Sequence, residues 1–173
     1  MLFRSAIRTD GYLFTWGQNS NGQLGNGTTV DNGSPAQIGS SSWTAVAAGG
    51  TGPFAQTAAI RSDGMLFAWG LNGSGQLGDG TATSKASPVQ IGSSNNWTSV
   101  SAGLSHGAAI NSLSQLWTFG AVTPINNTSP VQITAGTGSF SQVSAGQSYT
   151  LARDINGILY AWGQDTSGQL GYF

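Results

Sequence analysis

The chain has 173 residues, 27 of them glycine, with 38% hydrophobic and only 6% charged residues and a net charge of -1. That is chain enough for one well-buried domain, and too hydrophobic to stay disordered. The five basic residues (Arg4, Arg8, Arg61, Lys85, Arg153) are scattered and cannot displace several phosphate counterions, which argues against nucleic acid as a direct partner. Zero cysteines exclude disulfide staples and Cys-based metal sites, and no apolar run reaches the roughly 20 residues that span a bilayer, so membrane insertion is not expected.

Taken in order, residues 1–5 stand outside the pattern that follows. When Trp16 is matched to Trp69, Ala6-Ile7-Arg8 falls on Ala59-Ile60-Arg61, but Phe3 and Arg4 fall on Gln56 and Thr57. Residues 1–5 are therefore expected to be a leader foreign to the rest, and residues 6–173 one repeat domain. From Ala6 a short strand leads through Asp10-Gly11 into Tyr12-Leu13-Phe14-Thr15-Trp16-Gly17. Asp-Gly between two apolar runs predicts a two-residue type I′ hairpin. Tyr12, Phe14 and Trp16 share one face of the second strand and Leu13 and Thr15 the other, so both faces are expected to be covered. The stretch returns as Asp63-Gly64 to Trp69-Gly70, as Leu113-Ser114 to Phe119-Gly120, and as Asn156-Gly157 to Trp162-Gly163.

A glycine-rich loop follows three of the four copies: Gly22-Gln23-Leu24-Gly25, Gly75-Gln76-Leu77-Gly78 and Gly168-Gln169-Leu170-Gly171. Next come Ser34-Pro35-Ala36-Gln37-Ile38 with Trp43 to Gly49, Ser87-Pro88-Val89-Gln90-Ile91 with Trp97 to Gly103, and Ser129-Pro130-Val131-Gln132-Ile133 with Phe140 to Gly146. Trp16 to Trp69 is 53 residues, Trp69 to Phe119 is 50 and Phe119 to Trp162 is 43. Such a period belongs to propellers rather than to solenoids of shorter repeat. The third copy replaces its glycine-rich loop with Ala121 to Asn127, and the first-to-second junction carries the extra Thr51-Gly52-Pro53-Phe54. Both changes are expected in connections, where added length costs little closure entropy.

These motifs resemble the regulator of chromosome condensation repeat, which reads roughly Ala-Gly, two residues, His-Thr, a strand, Asp-Gly, Trp-Gly and Gly-Gln-Leu-Gly. The resemblance runs from Ala6 to Gly171. It implies an all-β fold, a partial β-propeller of four-stranded antiparallel blades, about three and a half of them from a family of roughly seven. Gln56, His106 and Tyr149 occupy the His place, and Arg153 stands where Ile60 and Ile110 put an aliphatic. An open arc leaves apolar blade faces exposed. Because the sequence starts and stops inside repeats, it is expected to be a piece of a longer protein, with a homodimer whose two arcs close a ring as the sharper alternative.

No residue set points to chemistry. His106 is the single histidine, and Ser105 beside it would face the other way on a strand. Asp10 and Asp63 are explained by turns, and the glycine loops lack the Lys-Ser/Thr ending of a phosphate cradle. The six tryptophans could suggest a chromophore cluster, by resemblance to plant light-sensing propellers, but Trp16, Trp69 and Trp162, and Trp43 and Trp97, recur in register as core residues do. No catalytic, cofactor or metal-binding residue is expected. The Trp-Gly and Gly-Gln-Leu-Gly positions are repeat-defining and structural.

The expected function is non-catalytic protein binding through the loop face of the propeller. The resemblance also implies two alternatives, guanine-nucleotide exchange on a small GTPase and proteinaceous inhibition of an enzyme. The absence of Cys and Glu and the scarcity of Lys suggest part of a larger bacterial or phage protein, extracellular or at a cell or virion surface rather than cytoplasmic.

Overall fold

The computed structural model describes residues 3–122, 125–134, 136 and 138–171. They form thirteen strands and no helix. In chain order these are β1 (Arg4–Ile7), β2 (Tyr12–Gly17), β3 (Asn32–Thr51), β4 (Phe54–Arg61), β5 (Leu66–Gly70), β6 (Lys85–Gln90) and β7 (Trp97–Ala102). Then come β8 (His106–Asn111), β9 (Leu116–Val122), β10 (Ile125–Ile133), β11 (Phe140–Ala145), β12 (Tyr149–Asp154) and β13 (Leu159–Gly163).

All pairings are between antiparallel neighbours in sequence, and they sort into four blades of a partial propeller. β3 serves two of them: its first half pairs with β2 (Phe14↔Gln37, Thr15↔Ala36), its second half with β4 (Ala45↔Ile60 to Thr51↔Phe54). Blade one is β1, β2 and the start of β3; blade two is the end of β3 with β4, β5 and β6. Blade three is β7 to β10, and blade four β11 to β13. The chain passes from the outer edge of one blade to the inner edge of the next. In the second repeat that passage interrupts the strand between Gln90 and Trp97, whereas the shorter first passage leaves β3 unbroken.

The core lies between blades, not within them. Leu13 and Ile38 of blade one meet Trp43, Ala59 and Trp69 of blade two. Ile60, Leu66, Leu77 and Ile91 of blade two meet Trp97, Ala109 and Phe119 of blade three, and Ile110 and Leu116 of blade three meet Phe140 and Ala152 of blade four. Within blades two to four an aromatic on the inner strand makes an edge-to-face contact with one on the third strand: Trp43 with Phe67, Trp97 with Trp117, Phe140 with Tyr160, at 5.4, 6.1 and 5.6 Å. Trp117, which looks unpaired in register, thus fills the Phe67 and Tyr160 position, and Phe119 takes the Trp place beside it. The expectation for β2 holds on one face: Leu13 and Thr15 are buried, while Tyr12, Phe14 and Trp16 are half-buried because no blade packs on that side of the described arc.

The first strand reaches into residues 1–5, and one local reading changes. β1 begins at Arg4, inside the stretch set apart as a leader, and pairs Arg4 with Trp16 and Ser5 with Thr15; backbone pairing asks for no particular side chain. The Asp-Gly hairpins are not type I′, since only the glycine takes positive φ. Gly11 N–H donates to Arg8 O and Arg8 N–H to Tyr12 O, a three-residue loop closed by a glycine bulge. Asp10 is freed to pair with Arg8 across the turn, at 2.6 Å, as Asp63 does with Arg61 at 2.7 Å.

The third copy has Ser114 at the bulge position, with φ 61°, the one described non-glycine residue in that region. A Cβ there is strained by about 1 kcal/mol. Ser114→Gly is therefore expected to raise stability by up to about 1 kcal/mol in urea denaturation, and Gly64→Ala, where a Cβ would lie 2.1 Å from Asn95 O, to lower it by more.

Candidate functional site

The glycine-rich loops are built around an asparagine that lies outside the Gly-Gln-Leu-Gly motif. Asn19 and Asn72, spaced like Trp16 and Trp69, are fully buried and wire the loop from inside. The Asn19 carboxamide accepts from Leu24 N–H (2.9 Å) and donates to Thr28 O and Val30 O (3.0 Å each). Asn72 does the same with Leu77, Thr81 and Thr83, and Asp165 accepts from Leu170 N–H at 2.9 Å. Gln23, Gln76 and Gln169 each turn back to cap a loop N–H. Asp31 is used up in the same construction, accepting from Asn19 N–H at 2.8 Å.

The first two loops pack onto the following blade. Trp69 Nε1–H and Thr57 Oγ1–H of blade two both donate to Gln23 O, at 2.9 and 2.8 Å, while Thr15 of blade one donates to Leu24 O. Gly25 must be glycine because a Cβ would stand 2.6 Å from Trp69 Nε1; Gly78 holds the same place over Phe119. At the second junction both donors are replaced together, by Phe119 and Gly107, and a Cβ on Gly107 would sit 2.3 Å from the Phe119 ring. At the third junction the loop is missing. Instead of a loop, Ala121–Val122 prolong β9 and Ile125–Asn127 open β10, pairing Asn126↔Ala121 and Asn127↔Gly120. Trp162 Nε1 and Thr118 Oγ1, which the loop would have satisfied, are buried without a partner.

His106 is wholly inside this framework. Its ring Nε2 is hydrogen bonded to Thr150 Oγ1 of blade four at 2.9 Å, and its carbonyl accepts from Gln56 Nε2 at 2.7 Å. Gln56 occupies the same repeat position one blade earlier and also donates to Gly103 O, so this position stitches inner strands together around the axis. Nδ1 has no partner, and burial pushes the imidazole from 6.5 down to about 4. Ser105 donates to Ala121 O and takes no part with the ring. Among the described residues no three His, Cys, Asp or Glu side chains converge as a metal site would require.

What remains open to a ligand is the end of the arc where the loops emerge. A recess of about 230 Å³ lies among the inner hairpins, lined by residues 48–51, 102–104 and 145–147, with no charged side chain. Beside it the extra residues found in the sequence are not a slack loop but a lengthened hairpin, Gly50↔Ala55 and Thr51↔Phe54. Its tip is braced by blade one: Asn21 donates to Pro53 O, and Gln23 Nε2 lies 3.5 Å from Gly52 O. Phe54 stands out on it, 59% exposed. The opposite end carries the Arg8–Asp10 and Arg61–Asp63 pairs, whose guanidinium hydrogen bonds hold both carboxyls below their usual range. Arg8 and Arg61 also stack on Phe14 and Phe67, at 5.0 and 4.7 Å.

The Regulator of chromosome condensation (RCC1) repeat model matches residues 10–55 and 63–110, and a second model of the same repeat matches 140–169. The interval left out holds the copy that lacks the glycine-rich loop. The chain is 34% identical to the human probable E3 ubiquitin-protein ligase HERC3 over 96% of its length, but that is 17% of the ligase. It is 32% identical to the ultraviolet-B receptor UVR8 of Arabidopsis thaliana, again over 96% of this chain and 40% of the receptor. Human WBSCR16 superposes with a TM-score of 0.85 at 22% identity, covering 99% of this chain and 48% of that one. Prp20p of Saccharomyces cerevisiae superposes at 0.82 and 22%, covering 98% and 45%. The chain thus spans less than half of each.

Two measurements check this geometry. Trp69→Phe removes a donor and orphans part of the Gln23 carbonyl's bonding, so it is expected to cost about 1–2 kcal/mol, whereas Trp162→Phe removes a donor that has no partner and is expected to be close to neutral. Because the unfolded chain protonates His106 near pH 6.5 and the folded chain only near 4, its contribution is fully present above pH 6.5 and is lost as pH falls towards 4. Between pH 7 and 4.5 the His106→Gln variant should lose about 2 kcal/mol less stability than the parent, read from urea melts at both pH values.

Proposed function

Because the chain belongs to the regulator of chromosome condensation repeat family, we propose that it is a non-catalytic scaffold that binds a protein partner through the loop end of its arc. The observation that carries this reading is the braced hairpin with Phe54 at its side, next to an uncharged recess. An exposed aromatic held on a rigid element loses little entropy on binding, which is what a binding anchor needs. The latches and the buried His106 network give the rigidity.

Loop ends of propellers present variable connections on an invariant frame, and here the variation is concentrated in one hairpin. The ligase and receptor activities named for the relatives belong to proteins of which this chain spans 17% and 40%, and they are not carried over. Nucleotide exchange on a small GTPase is the alternative; Prp20p, whose structure was described with its binding to Gsp1p and histones, supports it through fold alone. The low charge and the absence of Cys and Glu support a surface or secreted setting.

Binders selected from a displayed protein library against the immobilised chain provide the test. Phe54→Ser is expected to weaken the selected binders at least about tenfold, with Asp10→Ala at the opposite end leaving them unchanged. Binders insensitive to Phe54 and lost with Asp10 would place the partner at the wrong end and sink the proposal. Accelerated nucleotide release from a small GTPase on addition of the chain would favour the exchange reading instead.

A further inference from the structure

A cleft of about 420 Å³ runs along the outer rim of the arc between blades one and two. That volume lies within the roughly 300–1,000 Å³ of small-molecule sites. Ile38 and Trp43, each 5% exposed, border it from the stretch of β3 that passes between the blades, and Phe67 and Pro88 of blade two complete its apolar lining. The lining residues run from Gly25 to Pro88, so both walls lie inside the arc and neither end of the chain bounds the cleft.

The charged group and the free hydroxyls on this lining are all able to donate. Arg61 is its one charged residue, and no carboxylate side chain borders the cleft. Nε and Nη2 of Arg61 are committed to Asp63 and Met65, at 2.7 to 3.2 Å, whereas Nη1 has no partner among the described residues. The ion pair and the stacking on Phe67 at 4.7 Å hold the guanidinium in place, so its open edge is presented with little further ordering to do. The hydroxyls of Ser41 and Ser87 also border the cleft and make no hydrogen bond with described residues. The next junction differs. Asn111 and Trp117 stand there in the places of Arg61 and Phe67, and Asn111 is bonded within its own hairpin, donating to Gln115 Oε1 and accepting from the N–H groups of Leu113 and Gln115. It offers no cation.

We propose that the cleft between blades one and two binds a small organic carboxylate with an apolar body, the carboxylate on Arg61 Nη1 and the body against Ile38, Trp43, Phe67 and Pro88. A carboxylate fits better than a phosphate dianion because Asp63 already balances Arg61, and the remaining edge of one guanidinium cannot offset two more charges. A purely hydrocarbon ligand would cover the guanidinium edge and the two hydroxyls without giving them an acceptor. Phe54 is not among the residues of this cleft, so the proposal stands apart from protein binding at the loop end.

The test is calorimetric titration of the whole 173-residue chain with hydrocinnamate, beside its uncharged carboxamide and acetate. Hydrocinnamate is expected to bind saturably with a Kd of about 1 mM or tighter, and the carboxamide and acetate at least about tenfold more weakly. Arg61→Gln should weaken hydrocinnamate at least about tenfold. Arg8→Gln should leave it unchanged, since Arg8 and Phe14 carry the same pairing of cation and ring with no blade facing it in the described arc. Asp63→Asn removes the competing charge while keeping an acceptor for Arg61, and should tighten binding about fivefold, a gain that no loss of folding can imitate. Absence of saturable binding, equal binding of carboxylate and carboxamide, Arg61→Gln binding like the parent, or Asp63→Asn binding more weakly would each overturn the inference.

Discussion

The carbonyl of Gln23 accepts two hydrogen bonds from the neighbouring blade, from Trp69 Nε1 and Thr57 Oγ1, and much of the architecture follows from that pair. A blade of this chain has little core of its own. Its apolar side chains face sideways, so they are buried only when the next blade arrives at the right distance and angle. The latch sets both, because the indole cannot reach the carbonyl unless Gly25 lets the loop backbone lie against its edge. Loop wiring by Asn19 and the glycine at 25 are therefore one device: the first fixes the carbonyl in space, and the second allows the ring to approach it.

The same device explains why substitutions between repeats come in sets. At the second junction the ring has no N–H and the neighbouring position has no hydroxyl, and Gly107 opens the space that Phe119 fills. The two latch positions leave no donor of their own stranded there. At the third junction Trp162 and Thr150 both return, but the loop that should receive them is gone. Thr150 is taken by His106, and Trp162 is left without a partner. A donor shut away from water with no acceptor costs more than an absent one, so the latch positions of this junction are less favourable than those of the second.

Much of the fold could be read from the sequence because the Trp-Gly and Gly-Gln-Leu-Gly motifs are spaced by a whole blade and keep their order. Periodicity of 2 within Tyr12 to Trp16 correctly separates Leu13 from Phe14, but it cannot say that one face lacks a neighbour. Asp10-Gly11 is consistent with two hairpin types, and the choice falls to the one that lets Asp10 chelate Arg8. Asn19 and Asn72 share the spacing of 53, but Asn is common in this chain and reads as loop, so the spacing does not stand out. Thr51 to Phe54 looked like slack, since length alone does not distinguish a floppy insertion from two more rungs of a ladder. The partner of His106 was out of reach altogether: Thr150 lies 44 residues away, on another blade.

This division between what repeats and what does not also bears on function. Where the repeat is obeyed, side chains are committed to latches, inner-strand bonds and interblade packing, and little is left to recognise a partner. Where it is broken, the consequences differ by place. Loss of the loop in the third copy is absorbed internally, by a hairpin and two unmet donors. The gain before Phe54 is not absorbed; it is braced by Asn21 at its tip and directed outward at its side, beside a recess that carries no charge. The insertion keeps an aromatic ring 59% in water on a hairpin that blade one braces. The regular part of the chain thus builds a frame whose rigidity gives one irregular hairpin a fixed position.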